Sequence, residues 1–263
     1  MSALGATMFA RFAFPPNLEG YCGPAQPDLL FAYGAGLQNP DPGLDTLARA
    51  FEGAWPYLEL LNASATIDDP LSEQVVEAYW IGNPLLARVD AGNLGNHLAD
   101  RFGPRSGRAI DIITAGVGAG AVPNHAFHVF GVYPWLGLLR DGIGGTEPLR
   151  VLDRCRIRWG SVLDTDGELA IVRSRPLTWT GASLSLGAPI VEKAECGEGG
   201  GLAGILTRGD MVALHWDWVC QRLSSQQLGW LERVTRSQLE VINRTAGQHD
   251  EARSPIDRGS SNR

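Results

Sequence analysis

Apolar residues follow two different spacings along this chain of 263 residues. In the first half they recur every three or four residues, as at Leu44, Leu47 and Phe51, which is the spacing of one buried helix face. In the second half, short apolar runs alternate with turn residues such as the Asp-Gly pair at 166–167, which is typical of short antiparallel strands. We therefore expect an α+β protein in which the helices come first.

Residues 1–145 are predicted to form an all-helical domain. Helical spacing covers 41–61, where Pro56 interrupts it, and resumes over 71–80. Before these helices the chain is rich in Pro and Gly, and we expect an irregular segment from residue 8 up to a short helix near residue 28.

Glycines at every second position, from Gly116 to Gly120, interrupt the helical pattern. A phosphate-binding loop would need a Gly-Lys-Ser or Gly-Lys-Thr sequence after them, and none follows. The stretch 109–121 is therefore predicted to be a flexible connection.

Residues 146–245 are predicted to form a small OB-like β-barrel with a C-terminal helix. Short strands with turn signals every eight to twelve residues are typical of such a barrel. Ser224 and Gln227 have the spacing of a capping box ahead of the helix. Beyond Thr245 the composition turns to Gly, Ser, Asp, Arg and Gln, so 246–263 are expected to be a disordered tail.

The charge balance narrows the classes of partner. Basic residues number 22 and acidic residues 29, for a net charge of -7 without a strongly basic stretch, so we expect no nucleic-acid partner. No apolar run reaches the roughly 20 residues that span a bilayer, and the N-terminus lacks a signal-peptide pattern. We expect no membrane association and a cytoplasmic location. Four cysteines without Cys-x-x-Cys spacing predict neither a disulfide framework nor a zinc ribbon.

Two candidate metal ligands bracket the predicted barrel. Cys155 opens a Cys-x-x-x-x-Gly-x-Val motif, and His215 closes a Gly-Asp-x-Val-x-x-His motif that leads into the terminal helix. A thiolate and an imidazole together can hold a low-valent iron that already has strong-field ligands. This ordered combination of motifs resembles the HypC/HupF-type nickel–iron hydrogenase formation chaperones.

The resemblance implies that Cys155 and His215 transiently hold an iron unit, Fe(CN)2CO, on the barrel. It implies a non-catalytic maturation factor whose partner is the hydrogenase large-subunit precursor or another maturation protein. Trp159 and Trp216, close to the two ligands in sequence, are candidate partner-binding residues. In the family the cysteine follows the initiator methionine, and Gly and Pro stand where this chain has Ile157 and Trp159.

Two other functions stay open. An interaction module that has kept the barrel and lost the metal is favoured by Ile157 and Trp159. A metal-dependent enzyme with a site between the domains is favoured by a second candidate group, His125, His128 and Cys22, provided that they converge on one pocket. The two histidines would share a helix face, where packed core residues are the alternative. The whole chain also resembles an uncharacterised actinobacterial family of unknown function.

Overall fold

The computed structural model describes residues 2–65, 67–106 and 109–253, with the backbone alone for 102–106, 109–112 and 246–253. The protein is a mixed α+β structure in which helices come first, strands follow, and a long helix comes last. No helix within the described ranges is long and apolar enough to cross a membrane.

The N-terminal part is built from short and medium helices. They are α1 (Ala3–Leu18), α2 (Pro27–Gly34), α3 (Pro42–Arg49), α4 (Trp55–Ala65), α5 (Glu73–Trp80), α6 (Ala91–Ser106), α7 (Ala109–Gly118), α8 (His125–Phe127), α9 (Trp135–Arg140) and α10 (Glu147–Cys155). A 3-10 helix lies at Pro84–Arg88, and a turn of π-helix at His128–Val132 continues α8. Local signals explain several starts. For example, the Asp41 side chain accepts a hydrogen bond from the backbone of Gly43 at 2.8 Å and caps α3.

Helix α1 is the central helix of this part and packs against α2 and α5. Its residues are apolar on most sides, as expected of a buried helix. The expectation of an irregular segment from residue 8 was wrong, because α1 runs on to Leu18 with Pro15 and Pro16 inside its last turns. A proline removes one backbone donor, and here the helix ends soon after that loss.

Helix α7 occupies much of the stretch that was expected to be a flexible connection. The glycines do not prevent the helix from forming, and one of them has a packing role. A Cβ added at Gly116 would lie 2.9 Å from the ring of Phe127. The glycine therefore allows a close approach of α7 to α8, and the prediction of a connection was wrong.

The C-terminal part contains the strands β1 (Arg158–Asp166), β2 (Leu169–Ser174), β3 (Leu177–Trp179), β4 (Leu184–Leu186), β5 (Ile190–Glu195), β6 (Met211–His215) and β7 (Trp218–Arg222). Five strands form a ring in the order β1-β2-β5-β7-β6, and β6 pairs back with β1. The ring is closed between β5 and β7 by one parallel residue pair, Glu195 with Trp218. The β3 and β4 strands pair only with each other within the described chain.

Alternation along β6 decides which side chains face the helices. Val212 and Leu214 belong to the small cluster inside the ring, whereas Ala213 belongs to the main core. Side chains two residues apart share a face of a strand, so His215 points to the same side as Ala213. The main core runs from α1 through the strands to the last helix. Apolar packing therefore continues across residue 145, and the division into two domains at that residue stays a prediction.

Helix α11 (Ser225–Arg253) closes the described chain. The capping box is present, because the backbone of Gln227 donates to the Ser224 hydroxyl at 3.2 Å and the Gln227 side chain accepts from the Ser224 backbone at 3.0 Å. The helix continues through the first residues of the expected disordered tail. The remainder of that tail, 254–263, lies outside the described residues.

Candidate metal centre

His215 ends β6 and is completely buried against α1. Its Nδ1 lies 2.6 Å from the backbone oxygen of Phe12. A carbonyl can only accept, so Nδ1 carries the proton and Nε2 has a free lone pair. Nε2 has no hydrogen-bond partner among the described residues. Burial lowers the pKa of His215 well below its ordinary value and neighbouring His125 acts in the same direction, whereas the backbone of Phe12 and of Cys155 opposes the shift. The ring is therefore neutral, with an unpaired nitrogen in the protein interior.

Cys155 is the last residue of α10 and only 5% exposed. Val151 and Leu152 are buried beside it, so the thiol lies on the apolar face of the helix. Burial raises the pKa of the Cys155 thiol, the nearby Cys22 adds to this, and the indole of Trp216 opposes it. Such a thiol is a small hydrophobic group unless a metal ion or another cation stabilises its thiolate.

His125 begins α8, and the Asn124 side chain caps the helix by accepting from the Ala126 backbone at 2.8 Å. Its Nε2 lies 2.8 Å from the backbone oxygen of Cys155, and its Nδ1 lies 3.2 Å from the Tyr79 hydroxyl. The first contact makes Nε2 the donor and Nδ1 the acceptor. Burial lowers the pKa of His125 to about 4.

The Tyr79 hydroxyl has two acceptors within reach. Besides Nδ1 of His125, it lies 3.4 Å from the backbone oxygen of Gly53. It can therefore donate to Nδ1 of His125, or turn to Gly53 and leave Nδ1 to a metal ion. Nε2 stays hydrogen-bonded to the backbone oxygen of Cys155 in both cases, which is the usual support for a metal-binding histidine.

One ligand atom from each of His125, Cys155 and His215 lies within 4.8 Å of the other two, and all three residues are buried. One thiolate and two imidazoles form a donor set that suits zinc, copper, nickel or iron, and offers nothing to ions that prefer oxygen ligands. Three protein ligands leave at least one position of a tetrahedral ion open.

The three candidate ligands line a cavity of about 240 Å³ between the helices and the barrel. Aromatic walls come from Phe51, Trp80, Tyr133 and Trp135 among others. None of the described lining residues is an aspartate, glutamate, lysine or arginine. An ion in this cavity would therefore be surrounded by uncharged groups apart from its own ligands.

The second candidate group belongs to this same cavity. His128 and Cys22 both line it, together with His125. Nδ1 of His128 lies 3.2 Å from the Tyr57 hydroxyl, and burial lowers its pKa to about 3. Cys22 is half-buried, and burial raises its pKa to about 12. The sequence suggested two separate groups, and the fold makes them one.

Trp159 and Trp216, the candidate partner-binding residues, are both buried, and their partner-binding role stays a prediction. Their side chains are 9% and 1% exposed. Trp216 occupies the tight turn between β6 and β7 with φ of 53°, and its ring packs against that of Tyr21, tilted by 33° with 4.3 Å between centroids. The Arg156 guanidinium lies over the Trp159 ring, with its central carbon 5.9 Å from the ring centroid. Both rings are used within the protein itself.

Sequence reasoning missed the groups that position the ligands. Tyr79 and the backbone of Gly53 support His125, and the carbonyl of Phe12 orients His215. No motif or spacing marks these contacts, because two of the partners are backbone atoms. The helix-capping pattern at Asn124 was the one local signal near the third ligand.

The chain belongs to the DUF6390 family, described as a family of unknown function, whose model matches residues 1–249. This match confirms the expectation of an uncharacterised family. The family model covers both the helices and the strands. Among curated proteins and among solved structures, no match to the chain was found. The resemblance to hydrogenase formation chaperones is not tested by these comparisons and stays a prediction.

Proposed function

We propose that this protein binds one transition metal ion through His125, Cys155 and His215 and delivers it as cargo to another protein. One observation carries the metal-binding step: three buried ligand atoms converge within 4.8 Å, and Nε2 of His215 has no hydrogen-bond partner among the described residues. An unsatisfied buried nitrogen costs about 1–3 kcal/mol. A bound ion removes that cost and uses the lone pair.

The contacts behind the ligands support the same proposal. Each histidine has its second nitrogen hydrogen-bonded, to the backbone oxygen of Phe12 for His215 and to that of Cys155 for His125. Such bonds fix ring orientation and are typical of metal-binding histidines. The thiolate of Cys155 makes the site selective for softer ions.

The cargo step rests on the resemblance to the HypC/HupF-type chaperones. Cys155 and His215 are the two residues carried over from that family, and the strand order β1-β2-β5-β7-β6 supports an OB-like assignment of the barrel. The cargo is then an Fe(CN)2CO unit, the partner is a hydrogenase large-subunit precursor or another maturation protein, and the location is cytoplasmic. His125 would be a third ligand, supplied by the N-terminal helical part.

Burial constrains how cargo could leave. Cys155 and His215 are 5% and 0% exposed, so transfer requires the wall of the cavity to open. The wall near the surface includes Tyr21, whose hydroxyl donates to Glu147 of α10 at 3.2 Å. Breaking this hydrogen bond and moving Tyr21 away from α10 would open the cavity to the surface.

A metal-dependent enzyme with a site between helices and barrel is the second candidate. The cavity of about 240 Å³ beside the three ligands favours it, because that space could hold a small substrate. An interaction module without metal is the remaining alternative, and in it the three residues would only be packed core side chains.

The proposal is tested by purifying the protein without air from cells that express hydrogenase maturation genes, followed by metal analysis and infrared spectroscopy. We expect about one metal ion per chain, and cyanide and carbonyl bands if the cargo is Fe(CN)2CO. Cys155→Ala, His215→Ala and His125→Ala should each lose the metal. Cys196→Ala and His97→Ala are matched controls, because neither residue lines the cavity.

The outcomes separate the candidates. Transfer of the iron unit to an added hydrogenase precursor supports the carrier. A metal that stays bound after a precursor is added and turns over a small substrate favours the enzyme. Wild-type protein that binds no iron, zinc, copper or nickel, even after titration with each ion, leaves only the interaction module.

A further inference from the structure

Cys22 lines the cavity together with the three proposed ligands. The residue is carried on a short turn between α1 and α2, where Gly20 and Gly23 both have positive φ, 75° and 78°. These backbone conformations favour glycine, and the tight turn they form brings the thiol to the cavity. Cys22 is a free thiol in the structure.

Asn17 holds this turn in place. Its side-chain nitrogen donates to the backbone oxygens of Cys22 at 2.7 Å and Pro24 at 2.6 Å, and the residue is 5% exposed. A buried amide that bonds both sides of the turn limits where the Cys22 side chain can go. The turn is thus a defined support for the thiol.

The net charge of a bound ion and its three protein ligands indicates a role for Cys22. A bare divalent ion bound to one thiolate and two neutral imidazoles keeps one net positive charge, whereas the two cyanides of an Fe(CN)2CO unit already balance Fe(II). Burying the unpaired charge of the bare ion is costly. The described cavity lining contains no carboxylate that could neutralise it. Arg158, which is buried nearby and acts electrostatically on His215, is already paired with Glu192.

Cys22 is the best source of the missing negative charge. A thiol ordinarily loses its proton more easily than a phenol, so Cys22 would supply an anionic ligand more readily than the tyrosines that line the cavity. The Tyr79 hydroxyl is, in addition, engaged with His125 and Gly53, and that of Tyr21 with Glu147 outside the cavity.

Resting on the proposed metal site, we propose that Cys22 is the fourth ligand when the site holds a bare divalent ion such as zinc, which completes a Cys2His2 centre without net charge and closes it from the N-terminal side. Cys22 stands outside the group whose ligand atoms lie within 4.8 Å of one another. Its thiol therefore has to approach the other three for ligation, by a change of rotamer or a small shift of the turn. Withdrawal of Cys22 would then be the step that makes the ion transferable.

X-ray absorption spectroscopy on zinc-loaded protein tests this inference. Zinc–sulfur distances of about 2.3 Å separate clearly from zinc–nitrogen distances of about 2.0–2.1 Å. We expect two sulfur and two nitrogen ligands in the wild type, and one sulfur in Cys22→Ser. Loss of a direct ligand should weaken zinc binding by more than the roughly 10–100-fold that loss of a second-shell partner causes. Cys196→Ser, which alters a cysteine of the barrel interior, should keep both sulfurs.

The possible results are distinguishable from failure of the metal site itself. Zinc with one sulfur ligand in the wild type, unchanged by Cys22→Ser, overturns the role of Cys22 and leaves the three-ligand site intact. Wild-type protein that does not bind zinc or cobalt overturns both proposals. Two sulfurs that fall to one in Cys22→Ser and in Cys155→Ser, with both histidine variants losing one nitrogen, establish the four-ligand centre.

Discussion

The Nδ1 atom of His215 donates a hydrogen bond of 2.6 Å to the backbone oxygen of Phe12, 203 residues earlier in the chain. In an α-helix the carbonyl of residue 12 would accept from the N–H of residue 16, but residue 16 is a proline and has no N–H. The imidazole of a barrel strand therefore takes the place of a missing helical donor. This contact joins α1 to β6 and sets the tautomer that leaves Nε2 free.

Removal of this hydrogen bond should destabilise the protein independently of any metal. In metal-free buffer we expect His215→Leu to lower the free energy of unfolding by about 1–3 kcal/mol, because the Phe12 carbonyl is left unsatisfied in the core. His215→Asn has a similar size and keeps a side-chain donor near the position of Nδ1, so it should lose less. Urea unfolding measures both variants. Equal losses would show that the hydrogen bond contributes little to stability.

Zinc should stabilise the folded protein against heat. Ligand at about 100 times its dissociation constant adds about 2.7 kcal/mol, which for a chain of this size is a rise of about 5–10 °C in the melting temperature. We expect this rise in the wild type and in Cys196→Ser, and its absence in Cys155→Ser. Differential scanning fluorimetry with and without zinc provides the comparison. A rise in Cys155→Ser equal to that of the wild type would argue against the thiol as a ligand.

Glu192 of β5 is expected to stabilise the barrel through its ion pairs. It pairs with Arg158, whose side chain is 2% exposed, and with Arg154 at 2.8 Å. Removing one partner of a buried pair costs about 3–5 kcal/mol, so Glu192→Gln should be strongly destabilised at neutral pH. Urea unfolding at pH 7 checks this loss, and Glu198→Gln, in the 3-10 turn Glu198–Gly200 where no residue is buried, is the control.

The same residue predicts a pH dependence. Burial raises the pKa of Glu192, but Arg158, Ser174 and Arg154 together outweigh it and lower the pKa below its ordinary value of 4.5. The unfolded chain therefore binds the proton more readily, so this stabilisation is complete above about pH 4.5 and is lost as the pH falls through the folded-state pKa. The stability difference between wild type and Glu192→Gln should shrink below that pH. A constant difference from pH 7 to pH 3 would contradict the assignment.

Two glycines in helices should respond oppositely to alanine. A Cβ at Gly5 would lie 2.1 Å from the backbone oxygen of Leu71, whereas at Gly229 of α11 it would meet nothing within 4 Å. Gly5→Ala must therefore separate α1 from the chain before α5, with an expected loss of about 1–3 kcal/mol or more. Gly229→Ala should instead gain up to about 1 kcal/mol from helix propensity. Thermal unfolding of the pair measures the difference.

Local sequence signals were sufficient for much of the fold. Helical spacing around Leu44 and Leu47, the Asp-Gly hairpin at Gly167 and the capping box at Ser224 each involve residues within one or two turns of chain. Contacts between residues so close in the chain can be predicted from local sequence patterns. They determined the order of helices before strands. They failed at α1 and α7, where burial against neighbouring helices compensates for prolines and glycines.

The candidate metal centre was only partly predictable from the sequence. Motif order singled out Cys155 and His215, and helix spacing singled out His125, but nothing in the sequence joined the two groups. Their convergence depends on α8, α10 and β6 packing around one cavity, and on backbone oxygens of Phe12 and Cys155 that orient the imidazoles. Sequence by itself determined which residue types could bind a metal. Only the tertiary structure decided that they meet, because long-range packing rather than local spacing brings their ligand atoms together.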